Sequence, residues 1–271
     1  MSAIVRIPRL SDRIVVSATA TVAAGYIGGL LVAEVALVQG GLLAGAICHA
    51  VLLLALLVHH IAAPVAPYHS LLLGLALLPL IRLFGLAVPV AELPYLLWHA
   101  MVGIPTVLAT LLAIRAEDIE PKLMGIGSRF DPAVQLAVAI VGIPLGLLAW
   151  LALRPAPVLV DVGIVPIALG VIVAVVFIAV VEEVVFRGLL QGVALSALGS
   201  PAAAVAVSAA TYGVLVVPSL SVPFILLMLG TGIIFGWVVE VTGSIYGVIG
   251  AHALLAIGLL IVWPMVLGVS G

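Results

Sequence analysis

Apolar residues run in long stretches along almost the whole chain, separated by short segments that carry proline, glycine or charge. A stretch of roughly 17 to 25 apolar residues is long enough for a helix to cross a bilayer. Such stretches occur at 14–38, 41–60, 70–91, 93–114, 133–153, 164–195, 202–217, 222–241 and 245–268. The pattern predicts an all-α protein, a polytopic membrane helical bundle with eight or nine transmembrane helices.

Composition narrows the class of protein further. Of the 271 residues, 66% are apolar and 7% are charged, whereas soluble domains carry about 25% charged residues. The net charge of −2 provides no basic surface for nucleic acid. Cys48 is the single cysteine, which excludes a disulfide within the chain. We expect an integral protein of a prokaryotic plasma membrane.

One polar segment divides the chain. Residues 115–132 carry acids, bases and glycines and predict a cytoplasmic connector. The connector separates four transmembrane helices in residues 1–114 from a predicted functional core in residues 133–271.

Two basic clusters predict the orientation in the membrane. They are Arg6, Arg9 and Arg13 before the first stretch and Arg115, Lys122 and Arg129 after the fourth. Because four crossings separate them, both clusters lie on one side of the membrane, and the positive-inside rule makes that side cytoplasmic. The N-terminus is therefore expected in the cytoplasm.

Three charged residues, Glu182, Glu183 and Arg187, interrupt the sixth apolar stretch. Charged side chains at membrane depth are costly unless they are paired or used, so the cluster predicts a functional site. The four-residue spacing places Glu183 and Arg187 on one helix face, where they can form an ion pair. Glu182 is then left to face a cavity, and His252 is expected at a comparable depth. A purely structural ion pair that locks two helices together is the alternative.

Two segments resemble motifs of one family of membrane proteases. They are the run from Glu182 to Gly188, with the sequence EEVVFRG, and the later series of Gly232, Gly236, Trp237, Glu240, the run from Thr242 to Ile245, and His252. In this order they are similar to the CPBP family, the CAAX-protease and bacteriocin-processing (Abi) intramembrane proteases. The resemblance covers about 125–265, where the run from Gly125 to Gly127 looks like the lead-in of the family.

The resemblance implies a glutamate peptidase that activates water without a metal or another cofactor. Glu182 would be the general base, and Glu183 with Arg187 would hold the site. His252 would stabilise the oxyanion. The substrates implied are membrane-embedded or prenylated peptides.

Two positions depart from the pattern of the family. Val216 stands where the family has a second histidine, and Ala256 stands where it has an asparagine. Loss of an oxyanion donor costs about 10²–10³ in rate, and loss of an acid–base partner costs about 10²–10⁴. The departures predict impaired activity, with Thr211 and Tyr212 as the nearest substitute donors.

The remaining histidines are His49, His59, His60, His69 and His99. His49 and His99 are weak candidates for ligands of a haem or a pigment, because both lie within apolar stretches at similar depth. The other three flank a predicted loop and are expected at the membrane interface. No H-E-x-x-H motif occurs, so no metal site is predicted.

Three hypotheses follow. The chain is a CPBP-type intramembrane endopeptidase, or it is a catalytically silent scaffold or accessory subunit of a membrane complex with the same fold. The third hypothesis is a cofactor- or pigment-binding membrane subunit. The expected partners are accordingly a membrane-embedded or lipidated peptide, or the subunits of a membrane complex, together with the lipid bilayer.

Overall fold

The computed structural model of the protein describes residues 10–89, 95–127, 130–157, 159 and 163–267. No strand occurs in this part of the chain, which confirms the predicted all-α fold. The helices are α1 (Leu10–Ala62), α2 (His69–Ala87), α3 (Tyr95–Ala116), α4 (Pro132–Leu153), α5 (Ile164–Leu198), α6 (Pro201–Leu215), α7 (Val222–Thr242) and α8 (Tyr246–Leu267). Arg6, Arg9 and Arg129, which entered the orientation argument, lie outside the described residues.

These eight helices are long and apolar enough to cross a membrane when α6 is counted with the 3₁₀ turn Val217–Ser219 that follows it. Their outer faces carry exposed aliphatic side chains, among them Leu43 and Ile61 of α1 and Ile104 of α3. Such faces suit contact with lipid tails rather than with water. Long apolar helices with lipid-compatible outer faces are the features of an integral membrane protein.

Helix α1 is a helical hairpin. Its backbone breaks at Gly41, where φ is 79° and ψ is −175°, a combination that glycine alone adopts readily. The two arms run back along each other, since the Tyr26 hydroxyl meets Nδ1 of His59 at 2.9 Å. The predicted stretches 14–38 and 41–60 are these two arms. With α1 counted as two arms and α2 to α8 as seven helices, the described part of the chain has nine segments that could cross a membrane.

Helix α5 is the longest unbroken helix and is irregular around the charged cluster. Two π-helical segments, Ala174–Val180 and Val184–Leu190, flank the α-helical turn Val181–Glu183. The wider π-helical turns shift the direction in which side chains leave the helix, and they are frequent at functional sites. The irregularity lies where Glu182, Glu183 and Arg187 leave the helix.

Helix α8 packs tightly against α4 as well as α5. Gly142 of α4 lies so close to α8 that a Cβ atom there would be 2.0 Å from the carbonyl oxygen of Ala251. Small residues allow this close approach of two helices in a membrane. The contact fixes the position of α8 along the axis of the bundle, and with it the position of His252.

The connector packs against the bundle. Its described part up to residue 127 forms consecutive turns, and Met124 is buried against Gly188 of α5. At the start of α8 the amide of Ile245 donates a hydrogen bond of 3.3 Å to the Gly125 carbonyl. The connector therefore covers the end of the bundle at which α5 ends and α8 begins.

Because α1 folds back at Gly41, four crossings separate Asp12 from Lys122, and the predicted orientation in the membrane can be tested by cysteine labelling. In a Cys48→Ser background, single cysteines introduced at Asp12 and Lys122 should resist a membrane-impermeant thiol reagent added from outside, because an even number of crossings keeps both on the cytoplasmic side. A cysteine at Ala156, beyond the far end of α4, should be labelled. Efficient external labelling at Asp12 or Lys122 would overturn the predicted orientation.

Candidate active site

The carboxylate of Glu183 is the centre of the charged cluster. Its Oε1 atom accepts a hydrogen bond of 2.9 Å from Nη1 of Arg187 and lies 2.7 Å from Nδ1 of His252. All three side chains are buried, with Glu183 fully enclosed. The predicted ion pair between Glu183 and Arg187 is therefore present, and the same carboxylate also ties α5 to α8.

Aromatic rings hold the guanidinium of Arg187 from other sides. Its Cζ atom lies 4.5 Å from the ring centre of Tyr212 on α6 and 5.6 Å from that of Phe235 on α7. A cation over an aromatic face is stabilised by the electron-rich ring, and more strongly where water is excluded. Arg187 thus connects α5 to both α6 and α7.

The contact with Glu183 sets the orientation of His252. A carboxylate can only accept, so Nδ1 of His252 carries the proton in the 2.7 Å contact. The other ring nitrogen, Nε2, then faces Oε2 of Glu182 at 3.7 Å. This separation exceeds a direct hydrogen bond and is suited to a small group held between the two side chains.

The side chain of Glu182 differs from its neighbour in exposure. It is 34% exposed, whereas that of Glu183 is 0% exposed. The exposed part borders a cavity of about 840 Å³ that His252 also lines. Of the two adjacent glutamates, Glu183 is therefore enclosed and bonded to its neighbours, whereas Glu182 faces the cavity.

The cavity is mostly apolar and extends away from the connector. Its walls include Pro155 and Pro157 beyond the end of α4, and Pro218 beyond the end of α6. Both helices start at the connector end of the bundle, so these segments lie at the opposite end. Glu182 and His252 stand at the inner end of the cavity.

The two positions that depart from the pattern of the family both face this cavity. Val216 and Ala256 line its wall, and so does Tyr212. A histidine in place of Val216 and an asparagine in place of Ala256 would therefore reach the same space as Glu182.

The two predicted substitute donors differ in where their hydroxyl groups go. Tyr212 lines the same cavity as Glu182, and its hydroxyl lies 3.8 Å from Sδ of Met228. The Thr211 hydroxyl donates to the Val207 carbonyl of its own helix at 2.9 Å, and Thr211 does not line the cavity. Of the two, only Tyr212 lines the cavity, and its role as a donor stays a prediction.

Supporting contacts explain other members of the two motifs. Nε2 of Gln191 donates to the Gly236 carbonyl at 2.9 Å and to Oε1 of Glu240 at 2.7 Å, which joins α5 to α7. The Ser208 hydroxyl donates to the Phe186 carbonyl at 3.0 Å, which joins α6 to α5. Gln191 was missed in the sequence analysis, although an amide inside an apolar stretch is a signal for such a contact.

The candidate haem or pigment ligands lie in different surroundings. His99 lines the cavity, whereas His49 is buried with its Nε2 atom 3.8 Å from Oε1 of Glu34. The same Glu34 oxygen accepts a 2.9 Å hydrogen bond from Nε of Arg82. Glu34 and Arg82 were not anticipated, although charges inside apolar stretches mark such pairs. Ligation of a cofactor by His49 and His99 stays a prediction.

Comparison with known proteins finds one family whose model matches the segment that holds this site. Residues 164–258 match the family model described as type II CAAX prenyl endopeptidase Rce1-like. This range contains the whole charged cluster and His252, and it confirms the resemblance to the CAAX-protease family that the two motifs indicated. Searches of curated proteins and of solved structures gave no match. The roles of the individual site residues stay predictions.

The ion pair can be tested through stability. Arg187→Ala should lower the free energy of unfolding by about 3–5 kcal/mol, because it leaves the buried Glu183 carboxylate without its cation. Glu182→Gln should have a much smaller effect, since this side chain borders the cavity. The melting temperatures of both purified variants in one detergent provide the comparison. Equal shifts would show that the partners are wrongly assigned.

Proposed function

We propose that the chain is an intramembrane endopeptidase of the CAAX-protease type that acts slowly on membrane-embedded or lipidated peptides. The observation that carries the proposal is the position of Glu182 at the inner end of an apolar cavity, 3.7 Å from His252. The family match over residues 164–258 supports it.

The proposed reaction is hydrolysis of a peptide bond. Glu182 takes a proton from a water molecule, and the oxygen of that water forms a bond to the carbonyl carbon. The carbonyl oxygen becomes an oxyanion, and the Nε2 side of His252 stabilises it when that nitrogen carries a proton. The carbon–nitrogen bond then breaks, and the proton held by Glu182 passes to the leaving amine.

The walls of the cavity indicate the substrate class. Side chains such as Phe177, Val181 and Leu259 suit an acyl, prenyl or apolar peptide segment, and Glu182 and His252 stand together at the inner end. A substrate would reach Glu182 from the end of the bundle opposite to the connector. In the expected orientation that end is the non-cytoplasmic one, which favours peptides presented from that side or from the lipid.

The proposed rate is low because two positions at the cavity carry apolar groups. Val216 and Ala256 can neither move a proton nor donate a hydrogen bond. Tyr212, which lines the same cavity as Glu182, is the proposed replacement donor.

The same two positions favour a second candidate, a catalytically silent scaffold or accessory subunit of a membrane complex. In that case the cluster of Glu183, Arg187 and His252 serves only to join helices. The two candidates differ in whether Glu182 is needed for turnover.

Turnover of a quenched fluorescent prenylated peptide by the purified protein in liposomes distinguishes the candidates. We expect slow cleavage that Glu182→Gln reduces to background, whereas the matched Glu240→Gln variant, altered outside the cavity, retains it. Val216→His combined with Ala256→Asn should raise the rate, by up to about 10²–10³ for a restored oxyanion donor. If neither the unaltered protein nor the variant with Val216→His and Ala256→Asn cleaves the peptide, and the unaltered protein co-purifies stoichiometrically with a larger membrane assembly, the peptidase proposal is contradicted. That result would favour the accessory subunit.

The role of Tyr212 has its own test. Tyr212→Phe keeps the ring over Arg187 and removes only the hydroxyl, so kcat should fall by about 10²-fold, the scale for one lost donor. The melting temperature should change little, because the cation–ring contact remains. An unchanged kcat would remove Tyr212 from the proposed mechanism.

A further inference from the structure

We propose that His60, His69 and Glu117 bind a divalent transition-metal ion, with zinc as the best fit to the ligand set. His60 lies in the last turn of α1, His69 is the first residue of α2, and Glu117 directly follows α3. Two imidazoles and a carboxylate form one of the common protein ligand sets for zinc. The bound ion would join the ends of three helices.

The distances within the cluster fit a shared ion better than direct hydrogen bonds. Nε2 of His69 lies 3.4 Å and Nε2 of His60 lies 3.6 Å from the same atom, Oε1 of Glu117. A charge-assisted hydrogen bond between such groups measures about 2.7–2.9 Å. Ligands about 2.1 Å from a tetrahedral zinc ion are about 3.4 Å apart. All three ligand atoms lie within 4.8 Å of one another, which is close enough for one ion to bind them after a side-chain rotation.

The hydrogen bond of the other ring nitrogen supports a positive charge in this space. Nδ1 of His60 lies 3.1 Å from the His69 carbonyl oxygen, which can only accept, so Nδ1 carries a proton. In neutral His60 the lone pair of Nε2 then points at the Glu117 carboxylate. Two electron-rich atoms in this arrangement require a cation or an additional proton between them.

The surroundings hold the ligands as an outer shell does in metal sites. The Ser70 hydroxyl donates to Oε2 of Glu117, the other oxygen of the carboxylate. The rings of His60 and His69 are stacked, with centroids 3.8 Å apart and an angle of 18° between their planes, so one ring must rotate before both Nε2 lone pairs point at one ion. Hydrogen bonds to the far sides of ligating groups fix their orientation and strengthen metal binding.

The cluster is separate from the proposed peptidase site. None of its three ligand residues lines the cavity, and their side chains are only partly buried, which leaves room for water as a fourth ligand. The site therefore serves to bind the loop between α1 and α2 to the end of α3. No metal site was predicted from the sequence, because the three residues belong to no local motif and come together only in the fold.

Metal titration of the full chain, purified with a tag that contains no histidine and stripped with a chelator, tests the proposal. One Zn²⁺ should bind per chain, and Co²⁺ in its place should give the visible absorption of a tetrahedral site. His60→Ala, His69→Ala and Glu117→Gln should each weaken zinc binding at least as much as the roughly 10–100-fold typical of lost outer-shell partners. Ser70→Ala should fall within that outer-shell range.

His59 provides the matched control, because it adjoins His60 but contacts the Tyr26 hydroxyl instead. His59→Ala should bind zinc as the unaltered protein does, and zinc should raise the melting temperature of both. If either His60→Ala or His69→Ala fails to fold, Glu117→Gln, which preserves shape, decides the matter. No zinc binding, or equal binding by the His59, His69 and Glu117 variants, would overturn the proposal and leave a cluster bridged by a proton.

Discussion

The bonds of the buried Glu183 carboxylate are the interaction on which the site depends. One oxygen contacts both Arg187, one turn along α5, and His252 on α8, and Arg187 in turn lies against aromatic rings of α6 and α7. A carboxylate without partners in this interior would be strongly destabilising. The four helices must therefore meet in one arrangement, and the orientation of His252 follows from it.

This constraint gives the two adjacent glutamates different surroundings. Glu183 is fully enclosed, whereas Glu182 borders an apolar cavity and faces Nε2 of His252. Met124 of the connector packs against Gly188 of α5, and the cavity extends toward the other end of the bundle. A mostly apolar cavity with Glu182 and His252 at its inner end suits a lipid-linked or membrane-embedded peptide, which is the basis of the proposed function.

The sequence predicted the helices well because long apolar stretches have few alternatives in a membrane. The Glu183–Arg187 pair followed from helical spacing alone. The bond between Glu183 and His252 did not, because a distance along the chain does not tell which ring nitrogen faces which carboxylate. The buried contact of Glu34 with Arg82 and the cluster around Glu117 were missed for the same reason: their members lie on different helices.

The most direct test of this account uses the unaltered protein. A hydrophobic carbodiimide reacts with carboxyl groups that it can reach from an apolar space, and tandem mass spectrometry assigns the modified residue. The account predicts modification at Glu182 and none at Glu183, which is enclosed and bonded to Arg187 and His252. Modification at Glu183, or at neither glutamate, would contradict the claim that Glu183 is enclosed while Glu182 faces the cavity.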